Sequence, residues 1–130
     1  MSKGNILIVE DEPQTVKLIK FILEKDDYST ISAKDGEEGL RMVKKRKPDL
    51  IVLDLMLPKM DGYQLCETLK TDPDTKQIPV LVLTALDTGP DFEKALEKKA
   101  DWYITKPFDP QHLLKRVAYL IGKRKENEKR

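Results

Sequence analysis

The strands of this chain are indicated by three short runs in which every residue is apolar. These runs span residues 6–9, 50–53 and 80–83. Each is too short for a helix, and unbroken apolar character is typical of strands that are buried on both faces. Residues 28–33, which are β-branched and alternating, and residues 102–104, which include two aromatics, indicate two further strands. The pattern therefore predicts five strands.

Segments with helical spacing of apolar residues alternate with the strands, and each has one apolar stripe on an otherwise charged surface. The stripes contain Leu18, Ile19, Ile22 and Leu23; Leu40 and Val43; Leu65, Cys66 and Leu69; Phe92, Ala95 and Leu96; and Leu113, Leu114, Val117 and Ile121. Gly122 is expected to end the last helix. Because parallel neighbours joined through a helix take a right-handed crossover, the chain is predicted to be an α/β protein of (βα)5 type. Its doubly wound, parallel five-stranded sheet is expected to have the strand order 2-1-3-4-5.

Charged and hydroxyl side chains follow the predicted strands at their carboxyl ends, where sheets of this kind bind ligands. They are Glu10, Asp11, Asp54, Thr84 and Lys106. Since strands 1 and 3 are neighbours in the predicted order, we expect the three carboxylates to meet in one pocket. Two carboxylates about 4 Å apart repel each other by roughly 4 kcal/mol at an effective dielectric of about 20. The pocket therefore needs something that offsets this repulsion.

A raised carboxyl pKa or a bound divalent cation could offset it. The sequence favours the cation, because three carboxylates and the single lysine leave two negative charges, which one Mg²⁺ would balance. Mg²⁺ is usually held by a few carboxylates, with positions left for water and for a phosphate oxygen. The strand ends therefore predict a magnesium site that handles phosphate.

Composition excludes several other classes of protein. The 130 residues include 24 basic and 23 acidic side chains, for a net charge of +1, so nucleic-acid binding by this chain alone is not expected. No apolar run reaches the roughly 18 to 20 residues of a membrane span, and no signal stretch opens the chain. The single cysteine, Cys66, fits a reducing compartment, and we expect a cytoplasmic protein. One domain is predicted over residues 1–122, with residues 123–130 as a charged tail or a truncated linker.

Four separated stretches carry a resemblance to a known family. Residues 6–12 (ILIVEDE), 53–62 (LDLMLPKMDG), 83–85 (LTA) and 103–108 (YITKPF) closely resemble the receiver domain of bacterial two-component response regulators in sequence, order and spacing. The resemblance covers residues 5–122 and implies a flavodoxin-like fold. It also implies a phosphoacceptor that signals by a change of conformation and is not a turnover enzyme on an external substrate.

The resemblance implies specific roles at the acidic cluster. Asp54 would accept a phosphoryl group from a phosphohistidine on a sensor histidine kinase or a histidine phosphotransfer protein. Asp11 and Asp54 would bind Mg²⁺ directly. Glu10 would act through water, and the Met56 carbonyl would be a further ligand.

Roles are also implied for the residues around the phosphoryl group. Lys106 would pair with a phosphoryl oxygen and, with the metal, stabilise the charge of in-line transfer. Thr84 and Tyr103 match the two switch positions, where a hydroxyl moves toward the phosphoryl group and an aromatic ring turns inward. The Lys106–Pro107 peptide bond is expected to be cis.

Two further predictions concern partner docking and the hydrolysis of the acyl phosphate. Phe21 lies about 160° from Ile19 on the first helix, since each residue turns about 100°. It is expected outside the core, forming a kinase-facing patch with Pro107 and Phe108. Met56 and Leu86 are expected to flank the path of a water that attacks the acyl phosphate, and both are apolar.

Other functions fit the sequence less well. A phosphatase of the haloacid dehalogenase type needs a second carboxylate two residues after Asp54, where this chain has Met56. A dinucleotide-binding domain needs a glycine-rich turn after the first strand, where residues 10–13 read EDEP. A receiver fold kept only as an unphosphorylated binding platform remains an alternative. The sequence also leaves open whether the chain is a complete regulator or the receiver of a longer protein with an output domain.

Overall fold

The computed structural model describes residues 2–57, 59–85 and 100–128, and the five strands among them form one parallel sheet. The strands are β1 (Asn5–Val9), β2 (Ser29–Ala33), β3 (Leu50–Leu53), β4 (Val80–Thr84) and β5 (Trp102–Thr105). Their order is β2-β1-β3-β4-β5, and every neighbouring pair is parallel. The predicted strands and the predicted order are confirmed.

The described part of the chain contains four helices, three between strands and one after the last strand. They are α1 (Pro13–Lys25), α2 (Gly36–Arg46), α3 (Gly62–Thr71) and α4 (Pro110–Glu128). The helix predicted around Phe92, Ala95 and Leu96 lies outside the described residues. None of the described helices is long and apolar enough to cross a membrane.

Acidic side chains fix where the first three helices begin. The carboxylates of Glu12, Asp35 and Asp61 each accept a hydrogen bond from a backbone N–H in the first turn of α1, α2 and α3. Such caps satisfy donors that have no partner within the helix. The helices α1 and α2 therefore begin three or four residues after the end of a strand, whereas α3 begins after the longer loop of residues 54–61.

The sheet separates two apolar cores, because successive side chains of a strand point to opposite faces. Ile6 and Ile8 of β1 face a core that includes residues of α1 and α4, whereas Leu7 and Val9 face a core that includes residues of α2 and α3. The sheet is thus covered on both sides. Its carboxyl edge is held between two packed layers.

The last helix does not end where the sequence indicated. Gly122 lies inside α4, which continues to Glu128, so the expected helix end is wrong. The continuation is held by Arg124, whose guanidinium donates hydrogen bonds to the carbonyls of Pro48 and Asp49 and pairs with Glu128. These contacts hold residues 123–128 in the helix, although most of their side chains are exposed.

One residue of the predicted α1 stripe is also outside the core. Ile19, Ile22 and Leu23 are buried, but the side chain of Leu18 is 50% exposed. The stripe that packs on the sheet is therefore narrower than the sequence indicated. Leu18 and Phe21 both lie on the open surface of this helix.

Candidate functional site

The register of the sheet brings the predicted site residues to one edge. Val9 pairs with Leu53, so the residues that follow, Glu10 and Asp54, begin adjacent loops. The backbone N–H of Asp54 donates to the carbonyl of Val9 at 3.0 Å, which extends the ladder by one residue. Thr84 is the last residue of β4, and its carbonyl accepts from the N–H of Lys106 at 2.7 Å. Four of the predicted site residues therefore come from the ends of four neighbouring strands.

The three carboxylates converge as expected. One carboxylate oxygen from each of Glu10, Asp11 and Asp54 lies within 4.8 Å of the other two. Glu10 and Asp54 are buried, with 4% and 7% of their surface exposed, whereas Asp11 is open to solvent. Oxygen donors at this spacing, with one open side, suit a small divalent cation such as Mg²⁺. The donor set therefore fits the predicted metal.

Asp54 is held by donors on both of its carboxylate oxygens. Oδ1 accepts hydrogen bonds from the hydroxyl of Thr84 at 2.8 Å and from the backbone N–H of Met56 at 3.0 Å. Oδ2 accepts from the ammonium of Lys106 at 3.1 Å. The carboxylate is thus fixed in direction before any ligand arrives, which is the preorganisation that transfer chemistry requires.

Lys106 bridges two carboxylates. Its Nζ donates to Glu10 Oε1 at 2.5 Å as well as to Asp54. Burial opposes the charge and lowers the pKa of Lys106, but the hydrogen bond to Glu10 and the charge of Asp54 outweigh burial, and the net pKa is raised. The ammonium therefore stays charged through the neutral range.

Burial and neighbouring charges both shift the pKa of the Glu10 carboxyl. Burial raises the pKa of the Glu10 carboxyl, and the charge of Asp54 raises it further, against the hydrogen bond from Lys106, which lowers it. The single positive charge of Lys106 does not balance the three carboxylates of the cluster. The structure thus has both features that could offset the repulsion between the carboxylates. The pKa of one carboxyl is raised in the metal-free protein, and the three carboxylates form a site that suits a cation.

The loop between β3 and α3 is fixed by a close backbone approach at Gly62. A β-carbon at Gly62 would lie against the Cα of Leu55 and only 2.6 Å from the carbonyl oxygen of Asp54. The N–H of Gly62 donates to the carbonyl of Leu55 at 3.1 Å, and Asp61 caps α3. Gly62 is thus required next to Asp54, because a side chain there would have no room.

The remaining predicted residues lie around this edge. Tyr103 is half-buried and packs on the core beside α2 and α3. The Met56 side chain is 58% exposed. The Lys106–Pro107 bond is cis, as predicted.

The expected docking residues differ in exposure. Phe21 is 64% exposed, in agreement with the helical wheel. Pro107 is exposed, but Phe108 is half-buried and packs against the core beside α1 and α4. Phe108 therefore has a packing role that sequence reasoning missed.

Sequence reasoning also missed the backbone contribution to the site. The N–H of Met56 orients Asp54, but no side-chain pattern reports a backbone donor. The only available signal was the position of Met56 two residues after a carboxylate, which is the spacing of a local Asx turn.

Comparisons with known proteins agree on one family. The family model described as the response regulator receiver domain matches residues 6–118. The chain is 45% identical over 116 residues to the alkaline phosphatase synthesis transcriptional regulatory protein PhoP of Bacillus subtilis, a match that covers 89% of this chain and 48% of that protein. It is 44% identical over 116 residues to the DNA-binding dual master transcriptional regulator RpaA of Synechocystis, with the same two coverages. The chain thus spans about half the length of these curated relatives.

Solved structures give the same result. The signal receiver domain of a signal transduction histidine kinase from Syntrophus aciditrophicus superposes with a TM-score of 0.87 at 42% identity, over 92% of this chain and 91% of that one. The receiver domain of a sensor histidine kinase from Pseudomonas aeruginosa superposes with a TM-score of 0.85 at 28% identity, over 92% of this chain and 98% of that one. That second structure has a magnesium ion coordinated in its active-site cleft.

Proposed function

The chain belongs to the response regulator receiver domain family, whose members act as phosphoacceptors in two-component signalling, and from this premise we propose that Asp54 is the residue that accepts the phosphoryl group. The observation that carries the assignment is the convergence on one carboxylate. Asp54 contacts Lys106 and Thr84 and shares a 4.8 Å cluster with Glu10 and Asp11. A carboxylate that merely capped a loop would not need this set of partners.

The transfer is a displacement at phosphorus. A carboxylate oxygen of Asp54 forms the new O–P bond while the N–P bond of a donor phosphohistidine breaks, and the electron pair leaves with the imidazole nitrogen. Lys106, which already donates to Asp54, donates to an equatorial phosphoryl oxygen as charge develops there. Positioning and charge stabilisation supply the catalysis, as is general for phosphoryl transfer.

We assign the metal to the acidic cluster. Asp11 and Asp54 would bind Mg²⁺ directly, Glu10 would act through water, and the Met56 carbonyl would complete the protein ligands. When bound, the cation would neutralise the charge between the carboxylates and the incoming phosphoryl group. Support comes from the three convergent oxygens and from the charge excess that Lys106 leaves.

Two residues are proposed as the switch. The Thr84 hydroxyl, which donates to Asp54 Oδ1 at 2.8 Å, would donate instead to a phosphoryl oxygen bound at the same carboxylate. Tyr103 lies on the neighbouring strand β5, one residue from Ile104, which pairs with Leu83. Its half-buried ring packs against the core beside α2 and α3.

The partner is proposed to be a cytoplasmic sensor histidine kinase or a histidine phosphotransfer protein. The exposed side chains of Phe21 and Leu18 form an apolar surface on α1, and we expect the exposed Pro107 to extend it. We expect Phe21→Ala to slow transfer from the cognate kinase without changing the reaction with a small phosphodonor. Tyr119→Ala on α4, which removes a ring that is 52% exposed, is the matched control and should change neither rate. Equal kinase rates for wild type and Phe21→Ala would place the docking surface elsewhere.

The output is proposed to be a change of contacts with an output domain or a separate partner protein. The relatives named above are transcriptional regulators about twice the length of this chain. In this proposal the receiver assists its own phosphorylation and dephosphorylation and turns over no external substrate. DNA contact is left to other domains, because this chain has a net charge of only +1.

The assignment of Asp54 is tested with a small acyl phosphate and MgCl₂. Intact-mass analysis should show one added phosphoryl group on the wild-type protein and none without divalent metal. Asp54→Asn should take none. Asp101→Asn, at the opposite edge of the sheet, is the control and should be phosphorylated as the wild type is. A phosphoryl adduct that persists in Asp54→Asn would refute the assignment.

A further inference from the structure

The loop between β3 and α3 touches a second element, the first turn of α2. A β-carbon built at Gly36 would have its three nearest heavy atoms all in Met60: the carbonyl oxygen, the Cβ at 2.7 Å and the carbonyl carbon at 3.1 Å. Real β-carbons do not approach other atoms so closely, so one of the two segments would have to move. Backbone atoms, unlike the end of a flexible side chain, cannot turn aside.

The conformation of Gly36 does not explain the glycine. The described glycines include none with positive φ, so an alanine could adopt this backbone. Alanine would also favour the helix, since glycine is the poorer helix former. The requirement for glycine is therefore the contact with Met60.

A charged contact lies beside the packed one. The carboxylate of Asp35, which caps α2, lies 3.6 Å from the ammonium of Lys59, the residue before Met60. Asp35 is buried, and the hydrogen bond from the backbone N–H of Glu38 lowers the pKa of its carboxyl. Lys59 has a φ of 63°, which is a left-handed conformation that side chains rarely adopt. Two neighbouring residues of the loop are thus held against α2.

The same loop begins at the phosphorylation site. Its residue Met56 donates its backbone N–H to Asp54 Oδ1, and Gly62 at the other end packs on the Asp54 carbonyl. The segment between them is short, so a displacement at Met60 would reach Met56. Groups that orient a metal ligand in this way typically change metal affinity when they are altered.

We propose that Gly36 is a positioning residue of the phosphorylation site: the lack of a side chain at the start of α2 lets Met60 dock there and fixes the loop that orients Asp54. The inference rests on the proposed function of Asp54. It assigns a role at the site to α2, which contributes none of the predicted ligands. It also implies that a shift of α2 would change the affinity of the site for Mg²⁺.

The test compares Gly36→Ala with Gly39→Ala. A β-carbon at Gly39 would meet side-chain atoms of Val9 and Leu65 at 3.2 to 3.3 Å, so this variant crowds the same helix without touching the loop. MgCl₂ affinity is measured by calorimetry, the Met56 amide by NMR in metal-free protein, and stability by urea unfolding. We expect Gly36→Ala to weaken Mg²⁺ binding about tenfold and to shift the Met56 amide. Gly39→Ala should leave both near wild type.

A second variant decides the matter if Gly36→Ala does not fold. Asp35→Asn combined with Lys59→Met removes the ion pair while keeping the net charge, and asparagine retains the cap. It should shift the Met56 amide and weaken Mg²⁺ binding by about two- to threefold, as suits a lysine that is largely exposed.

The possible outcomes distinguish a failure of this proposal from a failure of the proposed function. A wild-type Met56 amide and wild-type Mg²⁺ affinity in the variants would overturn the proposal, as would losses in Gly39→Ala that match those in Gly36→Ala. If the wild-type protein bound no Mg²⁺ and took no phosphoryl group, the proposed function would fail. The shift of the Met56 amide in metal-free protein would still test the contact between the loop and α2.

Discussion

Two lysines at opposite edges of the sheet form ion pairs, and their surroundings differ in one respect. At the amino edge, the ammonium of Lys70 donates to the carboxylate of Asp101 at 2.7 Å and to the carbonyls of Lys76 and Ile78 at 3.0 and 2.9 Å. At the carboxyl edge, Lys106 meets two carboxylates and lies beside a third. Lys70 has one carboxylate partner, which matches its charge. Lys106 is surrounded by more negative charge than its single positive charge can balance.

That difference separates a structural ion pair from the ion pair at the proposed site. The ammonium of Lys70 uses its three donors on three acceptors, and its side chain is only 8% exposed. Asp101 also accepts from the N–H of Val80, which ties the start of β4 to the start of β5. Nothing in this arrangement calls for a further cation. At the carboxyl edge the described groups carry excess negative charge. The pKa of Glu10 is raised there mainly by burial, and the charge of Asp54 adds to the shift.

The largest effect is expected when each lysine is removed. Lys70→Met removes one donor from a carboxylate and from two carbonyls, and Lys106→Met removes one donor from each of two buried carboxylates. Breaking such pairs costs up to about 3 kcal/mol in the free energy of unfolding. We expect MgCl₂ to restore most of this loss in Lys106→Met and none of it in Lys70→Met, because the acidic cluster found among the described residues, which is proposed to bind the cation, lies at the carboxyl edge. Urea unfolding with MgCl₂ or with EDTA measures both.

The same comparison also gives the direction of the pH dependence. The pKa of Lys106 is raised by its partners, so its stabilising contribution is complete below the ordinary lysine pKa and is lost as the pH rises through the higher folded value. In Lys106→Met this alkaline loss should be absent. If Mg²⁺ rescued the two lysine variants equally, the distinction between the edges would be wrong.

The fold followed from the sequence because its strongest signals are local. Strands buried on both faces are apolar at every position, and residues 6–9, 50–53 and 80–83 show this pattern in runs too short for a helix. The right-handed crossover then limits the topology. The end of α4 could not be predicted, since Gly122 gives a local stop signal that is overridden by hydrogen bonds from Arg124 to carbonyls more than 70 residues away in the chain.

The site was predictable to the extent that its groups are side chains at strand ends. Glu10, Asp11 and Asp54 follow strands whose adjacency the strand order implies. The Met56 amide and the Gly36 contact could not be found, because both depend on backbone atoms of a loop with no periodic pattern. Their positions are set by packing between distant segments.

An intermediate effect is expected on the lifetime of the phosphorylated state. The exposed Met56 side chain cannot accept a hydrogen bond from a water that attacks the phosphorus, and Leu86, which lies outside the described residues, is also apolar. Met56→Asn with Leu86→Gln should speed self-hydrolysis by up to about tenfold, if water positioning gains roughly 1.4 kcal/mol. The decay of the adduct is followed by mass after the phosphodonor is removed. Decay that is as fast in the wild type as in the double variant would contradict the argument.

The smallest effect is expected when one carboxylate at each edge is neutralised. The change in the free energy of unfolding should have opposite signs at the two edges. Asp11 is exposed, so its repulsion from either neighbour at the 4.8 Å limit of the cluster is screened to about 1 kcal/mol. Asp11→Asn should therefore stabilise the metal-free protein by about that amount in low salt, and high salt should erase the gain. Asp101→Asn should instead destabilise it, because Lys70 loses its counter-charge. MgCl₂ should reverse the order for Asp11, since only the wild type gains the full binding free energy. Urea unfolding of the three proteins in EDTA and in MgCl₂ gives all the differences, and an Asp11→Asn protein less stable than wild type in EDTA would show that the cluster is already balanced.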